Sequence, residues 1–284
     1  MQSVTRESIC RMNKLLTFGC SFTNYRWPTW ADYLGKQYKS FVNHGRIGAG
    51  NEYIFQTLCK QHAIGNITAD DTVAIMWSTT VRYDYYKDND WVTRGNVYNS
   101  GYSKEFIDNF VDPIGYYIRD CCLIHGAKQL LENVGCKYVF FSLTPLNHPI
   151  ERGKYNFLKK IFKNDIVDKY EKIYKSTIDI ILPSVYEVVF NSDWNSRVEE
   201  LEYVLGGTYE IHAGPDWPSW EAFANGIAVE PSEEILLDMC ERLGATTWKE
   251  IIDHKLWMCK DYHPTPKMHV EYLDKVLPDW RTWD

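Results

Sequence analysis

Ser21 closes the run Leu15-Leu16-Thr17-Phe18-Gly19-Cys20-Ser21, and His263 stands in Asp261-Tyr262-His263-Pro264-Thr265-Pro266 near the far end of the chain. A serine hydroxyl is a poor nucleophile until an imidazole takes its proton, and the imidazole needs an acceptor that holds its tautomer. Ser21, His263 and Asp261 are the residue types for that chemistry, in which a carbonyl is attacked and an acyl intermediate forms on the serine. The tetrahedral intermediate also needs donors at its oxygen, and losing one costs about 10²- to 10³-fold in rate. Each residue has a plainer reading as well. A serine after a strand is commonly an N-cap, and an isolated histidine is commonly structural.

The elements that must position these groups are read from periodicity. An apolar run stopping at Gly-Cys-Ser is a buried strand turning at its carboxyl end, where open α/β sheets place their chemistry. Gly19 allows a tight turn, and the residues after Ser21 are expected to start a helix whose free N–H groups face an oxyanion. Residues 27–35 suit a short helix with Pro28 in its first turn and Gly35 at its end. A strand over 40–43 runs into His44-Gly45-Arg46-Ile47-Gly48-Ala49-Gly50-Asn51. These glycines mark a loop closely approached by other backbone, without the spacing of a dinucleotide or phosphate fingerprint.

A helix is expected over 51–62, with Ile54, Phe55, Leu58 and Cys59 on one face. The run Thr72-Val73-Ala74-Ile75-Met76-Trp77 is apolar throughout, as a central parallel strand would be. Residues 83–112 show no clear period and are read as a long loop over the carboxyl edge. A helix over 114–134 and a strand over 137–143 follow, and residues 151–182 look helical up to Pro183. Residues 184–255 exceed what a compact sheet needs and are read as a small helical cap inserted into a single domain spanning 1–284. A last helix follows Pro266, with Val270, Leu273, Val276 and Leu277 at helical spacing, so the X-Pro bonds present His263 from an extended loop. Strands alternating with helices make this an α/β chain with a doubly wound sheet.

Composition narrows the function. A net charge of -7 without a Lys/Arg run argues against nucleic acid. The eight cysteines are scattered without a C-x-x-C, a pattern of free thiols in a reducing compartment, and no metal site or cofactor is indicated. The first residues lack an apolar signal region and no apolar run approaches a membrane span. Synthesis in the cytoplasm without a membrane anchor is expected, and an intracellular or virus-encoded product is compatible with this. Aromatic content of 15% fits a large core, or surfaces that stack on flat or sugar-ring ligands.

Three blocks resemble those of the SGNH, or GDSL-like, hydrolase superfamily. Leu16-Thr17-Phe18-Gly19-Cys20-Ser21 matches the first, with Cys20 where Asp is usual. Val42-Asn43-His44-Gly45-Arg46-Ile47-Gly48 matches the second, and Asp261-Tyr262-His263-Pro264 the last. The resemblance implies a three-layer α/β/α fold with a mostly parallel, flavodoxin-like central sheet plus the small helical insertion. It further implies Ser21 as nucleophile, His263 and Asp261 completing a triad, and the Ser21 and Gly48 amides in an oxyanion hole. Two positions depart from the pattern. The third block's Asn is missing from Trp77-Ser78-Thr79-Thr80, so Ser78, Thr79, Thr80 or Asn51 is left to supply that donor. Asp261 and His263 are separated by one residue where the family has two.

The expected activity is that of a serine esterase removing a small acyl group, such as acetyl, from a carbohydrate. Tyr83, Tyr85, Tyr86, Trp91, Trp194, Trp217 and Trp220 would supply stacking surfaces. Trp77, Arg82 and Trp217 are candidate substrate contacts, Arg82 either binding a carboxylate or forming a surface ion pair, and His269 is read as packing or support. The alternatives are a lipase, thioesterase or acyltransferase on the same triad, or a non-catalytic carbohydrate-binding protein that keeps the fold. The expected partner is thus a small-molecule or glycan ester, with no nucleic acid and no membrane.

Overall fold

The computed structural model describes residues 12–25, 28–98, 102–146, 165–190, 263–264 and 266–282. Its centre is a four-stranded parallel sheet of β1 (Met12–Phe18), β2 (Tyr38–Asn43), β3 (Thr72–Trp77) and β6 (Lys137–Ser142), in the order β2-β1-β3-β6. A single parallel bridge from Phe140 to Ile181 extends it by one position. That order places a topological switch between β1 and β3, and the crevice of such a sheet opens at the carboxyl ends of those strands.

Side-chain alternation builds the two outer layers. Leu16, Phe18, Val73, Ile75, Trp77 and Phe140 face one side, where α2 (Asn51–Ala63) and α4 (Pro113–Val134) cover them through Ile54, Leu58, Tyr117, Cys121 and Ile124. Leu15, Ala74, Met76, Val139 and Phe141 face the other. There α1 (Trp30–Gly35) and α7 (Pro266–Val276) bring Trp30, Leu34, Tyr272 and Leu273. All-apolar β3 is buried along its whole length because it meets helices on both faces. The chain is therefore α/β with three layers.

Local chemistry sets the helix ends. The Asp32 carboxylate accepts the Thr29 N–H at 2.8 Å ahead of α1, and Asp112 accepts from Ile114 at 3.0 Å where Pro113 opens α4. Gly135 ends α4 with φ 78, a left-handed C-cap. Two short helices, α5 (Asp165–Ile173) and α6 (Lys175–Ile178), pack beside α4.

Two expectations are corrected. Residues 83–112 are no loop: β4 (Arg82–Lys87) and β5 (Asp90–Asn96) form an antiparallel hairpin, followed by α3 (Lys104–Phe110) with Ser103 as its N-cap. Asp88 and Asn89, with φ of 53 and 64, make the two-residue turn between the strands, as a type I′ turn requires. The residues after Ser21 make one hydrogen-bonded turn, with the Thr23 and Asn24 N–H groups on the Cys20 carbonyl, and helix resumes only at Trp30. Of the predicted insertion over 184–255, Val185 and Val189 are wholly buried in the main core, while residues 191–255 lie outside the described residues.

Leu58 is fully buried between α2 and the sheet. Leu58→Ala should lower stability by about 2–5 kcal/mol, the usual cost of a cavity at such a site. The measurement is the urea midpoint, which should fall with an unchanged slope.

Candidate active site

The turn after β1 carries Ser21, which is only 5% exposed. Gly19 is needed there for space. A Cβ on it would lie 2.0 Å from the Thr23 hydroxyl oxygen and 2.8 Å from the Thr23 Cβ. The loop that follows β2 is laced to this turn. His44 donates its N–H to the Thr17 carbonyl at 2.8 Å and Arg46 to the Gly19 carbonyl at 3.0 Å. The Asn43 side chain donates to the Thr23 carbonyl at 2.7 Å and accepts the Gly45 N–H at 2.9 Å, and Asn24 donates to the Gly45 carbonyl at 3.0 Å. Residues 43–46 and 17–24 thus hold each other, which brings the Gly48 loop beside the serine turn.

His263 reaches the same turn from the opposite end of the chain. Its Nε2 lies 2.8 Å from the Ser21 Oγ. The ring stacks on Tyr25, with centroids 4.0 Å apart and planes 7° apart, and meets Phe22 at 4.8 Å. Two aromatic neighbours leave the imidazole little rotational freedom. The hydroxyl donates in this bond when the imidazole proton is on Nδ1, the tautomer a general base requires. Asp261 lies outside the described residues.

Gly48 has φ 77, the left-handed region, and a Cβ there would come within 2.5 Å of the Thr93 carbonyl oxygen. The β4–β5 hairpin presses on this loop. Gly95 donates to the Gly48 carbonyl at 2.9 Å, Thr93 donates to Ile47 at 2.9 Å, and Arg46 forms a two-bond fork with Asp90 at 2.8 Å each. Arg46 and the Trp91 N–H hold the exposed Asp90 carboxyl down at about 2. Asp84, buried in the hairpin, accepts the Gly50 N–H at 2.8 Å and the Tyr53 N–H at 3.1 Å, capping α2 where its dipole favours a negative group. Burial pushes the Asp84 carboxyl up, against those N–H bonds.

The other candidate residues divide sharply. Thr80 donates its hydroxyl to the Leu146 carbonyl at 2.9 Å. Asn51 spends both amide hydrogens, on the Ser78 carbonyl at 3.2 Å and the Asp120 carboxylate at 2.7 Å, and accepts the Ser78 N–H at 2.7 Å. Neither is available as a third oxyanion donor. The hydroxyls of Ser78 and Thr79 are buried and, among the described residues, have no hydrogen-bond partner. Trp77, expected at the substrate, is instead a core residue of zero exposure, edge-on to Phe140. Arg82 donates to the Ala49 carbonyl at 2.7 Å, a strut between loops. His269 is buried on α7, and Trp194, Trp217 and Trp220 lie outside the described residues. No helix among the described residues is long and apolar enough to cross a membrane.

Several site-building residues were not singled out from sequence: Tyr25, Asp84, Asp90, Arg119 and Asp120. A signal for Asp120 was present. It interrupts the stripe Tyr117, Cys121, Ile124 on the buried face of α4, and an acidic residue in an apolar stripe requires a buried partner. Arg119 is that partner at 2.8 Å.

No protein-family model and no curated protein matches the chain. Several solved structures resemble it at low identity. A lipolytic G-D-S-L family protein from Veillonella parvula shares 14% identity over 83% of this chain and 98% of its own, with a TM-score of 0.37. A GDSL-like lipase from Bacteroides thetaiotaomicron shares 13% over 88% and 93%, at 0.34. A psychrotrophic esterase from Pseudoalteromonas shares 12% over 64% and 82%, also at 0.34.

Burial raises the Asp120 carboxyl from an ordinary 3.8 to about 7, against the pull of Arg119 and Asn51. The folded protein then holds a proton that the unfolded chain releases near pH 4, so this group's contribution to stability is complete below that point. It is lost as pH rises through about 7. Urea titrations from pH 4 to 8 should show stability falling across that window, and Asp120→Asn should flatten the slope.

Proposed function

We propose that this chain is a serine esterase of the SGNH type, working through an acyl-enzyme. The observation that carries the reading is the 2.8 Å contact between His263 Nε2 and the Ser21 hydroxyl. In the proposed reaction the Ser21 Oγ attacks an ester carbonyl while His263 takes its proton. The Ser21 and Gly48 amides hold the oxyanion, and the alcohol leaves with the proton that His263 returns. Water then enters, gives a proton to His263 and releases the acid and the free serine. Asp261 is assigned the orienting role on the imidazole by its place in the family's last block. With Asn51 and Thr80 committed elsewhere, Ser78 or Thr79 is assigned the third donor.

For substrate we propose a small acyl ester on a carbohydrate. Tyr86 and Trp91, at the hairpin beside the Gly48 loop, are aromatic groups of the kind that stack on sugar rings, and Tyr86 is 62% exposed.

A fluorophosphonate should add one covalent adduct to the intact protein, and Ser21→Ala should abolish it. Ser21→Ala and His263→Ala should each lower kcat by about 10⁴-fold or more. An unlabelled wild-type protein would leave a binding role for the fold. Acetate release from acetylated sugars should exceed cleavage of long-chain nitrophenyl esters, and the reverse preference removes the carbohydrate assignment.

A further inference from the structure

The loop between β3 and β4 is held at both ends by one buried carboxylate. At its start, the Asn51 amide clamps Ser78 on both sides of its backbone, accepting from the N–H and donating to the carbonyl. An amide can face either way, and only one orientation suits Ser78. Asp120 selects it, because its Oδ2 accepts from Asn51 Nδ2 at 2.7 Å. At the loop's end, Arg119 donates to the Arg82 carbonyl at 3.1 Å. Arg119 is itself fixed by Asp120, through Nε at 2.9 Å and Nη2 at 2.8 Å, and by its place over the Tyr116 ring.

This arrangement is expensive for a purely structural contact, since a buried ion pair recovers little more than its desolvation cost and apolar packing would serve as well. What the loop carries gives the reason. Phe18 pairs with Ile75 across β1 and β3, and Ser21 and Ser78 each lie three residues beyond that pair, at the same end of the sheet. The loop brings two buried hydroxyls, Ser78 and Thr79, that have no hydrogen-bond partner among the described residues, to the edge where the nucleophile sits. We propose that Asp120 is a positioning residue: acting through Asn51 and Arg119, it fixes the Ser78–Arg82 loop so that a hydroxyl of Ser78 or Thr79 faces the reacting carbonyl. This rests on the serine-esterase reading above.

The test uses the full chain and nitrophenyl acetate, comparing wild type with Asp120→Ala, Asp120→Asn, Asn51→Ala and the Asp120→Ala/Asn51→Ala pair. Circular dichroism checks folding. Displacing a donor by a fraction of its length should lower kcat by roughly 10²-fold in Asp120→Ala, with KM nearly unchanged. Asp120→Asn, which can still accept from Asn51 but offers Arg119 no second oxygen, should recover part of that loss. The double variant should be no worse than the poorer single one. A folded Asp120→Ala with wild-type kcat, or single losses that multiply in the pair, overturns the proposal. If Asp120→Ala does not fold, Asn51→Ala decides by the same kcat and KM criteria. Hydrogen exchange separates this proposal from the one it rests on. If the wild type neither hydrolyses esters nor takes the fluorophosphonate, the esterase reading fails. Faster exchange at 78–82 in Asp120→Ala, with 12–18 unchanged, still supports the loop-holding role, and unchanged exchange at 78–82 overturns it.

Discussion

The contact between Ser21 and His263 spans 242 positions of sequence, and everything near it exists to make that distance small. The hydrogen bond cannot do this itself. A typical intramolecular hydrogen bond adds about 1 kcal/mol net, less than the entropy of ordering the residues that make it. The sheet and its covering helices bring the ends together instead. Tyr272 and Leu273 of α7 are wholly buried against the face of the sheet that also holds Trp30 and Phe141, and the Tyr272 hydroxyl donates to the Pro183 carbonyl at 2.9 Å. With α7 seated, His263 stands three positions ahead of the helix that begins at Pro266. Tyr25 and Phe22 then set the plane of its ring.

The parts of the fold with one dominant signal were legible in the sequence. β3 is read at its observed bounds because the five consecutive apolar residues after Thr72 meet a helix layer on each face. α4 is read because Pro113 and Gly135 bracket it. The hairpin was not, since two signals competed there. Its residues are polar and aromatic by turns, which suppresses the usual apolar alternation, and its turn is Asp88-Asn89, without the glycine that marks most such turns. Its pairing also shifts register between Arg82 and Asp84, which breaks the period of two at its first residues. The strength of the hairpin lies across the chain, in Arg46, Gly48 and Gly50, and no local pattern reports contacts of that range.

The candidate site shows the same division. Ser21 and His263 stand at a strand end and in a proline-fixed loop, places where local sequence constrains position strongly. Trp77 was misassigned because residue type was allowed to stand for location. A tryptophan at the end of a central strand still alternates into the core. Asn51 is the instructive case, since its side chain does serve the loop after β3. It does so by gripping backbone, which the residue's identity alone does not distinguish from donation to a ligand.

Two buried carboxylates meet at the first turn of α2, and their placement explains why both loops of the site can be rigid at once. Asp84 receives the Gly50 and Tyr53 N–H groups, which holds the Gly48 loop, while Asp120 receives Asn51, which holds the Ser78 loop. A helix N-terminus lowers the cost of burying negative charge, and Arg119 lies between them, drawing both carboxyls downward. The two acids still repel, which helps raise Asp120. In the proposed reaction a further negative charge forms nearby, so two unshielded carboxylates would oppose the transition state. Arg119 and the raised Asp120 reduce that opposition. Rigidity of this kind is what an oxyanion site needs, because donors already in place cost nothing to reorient as charge develops.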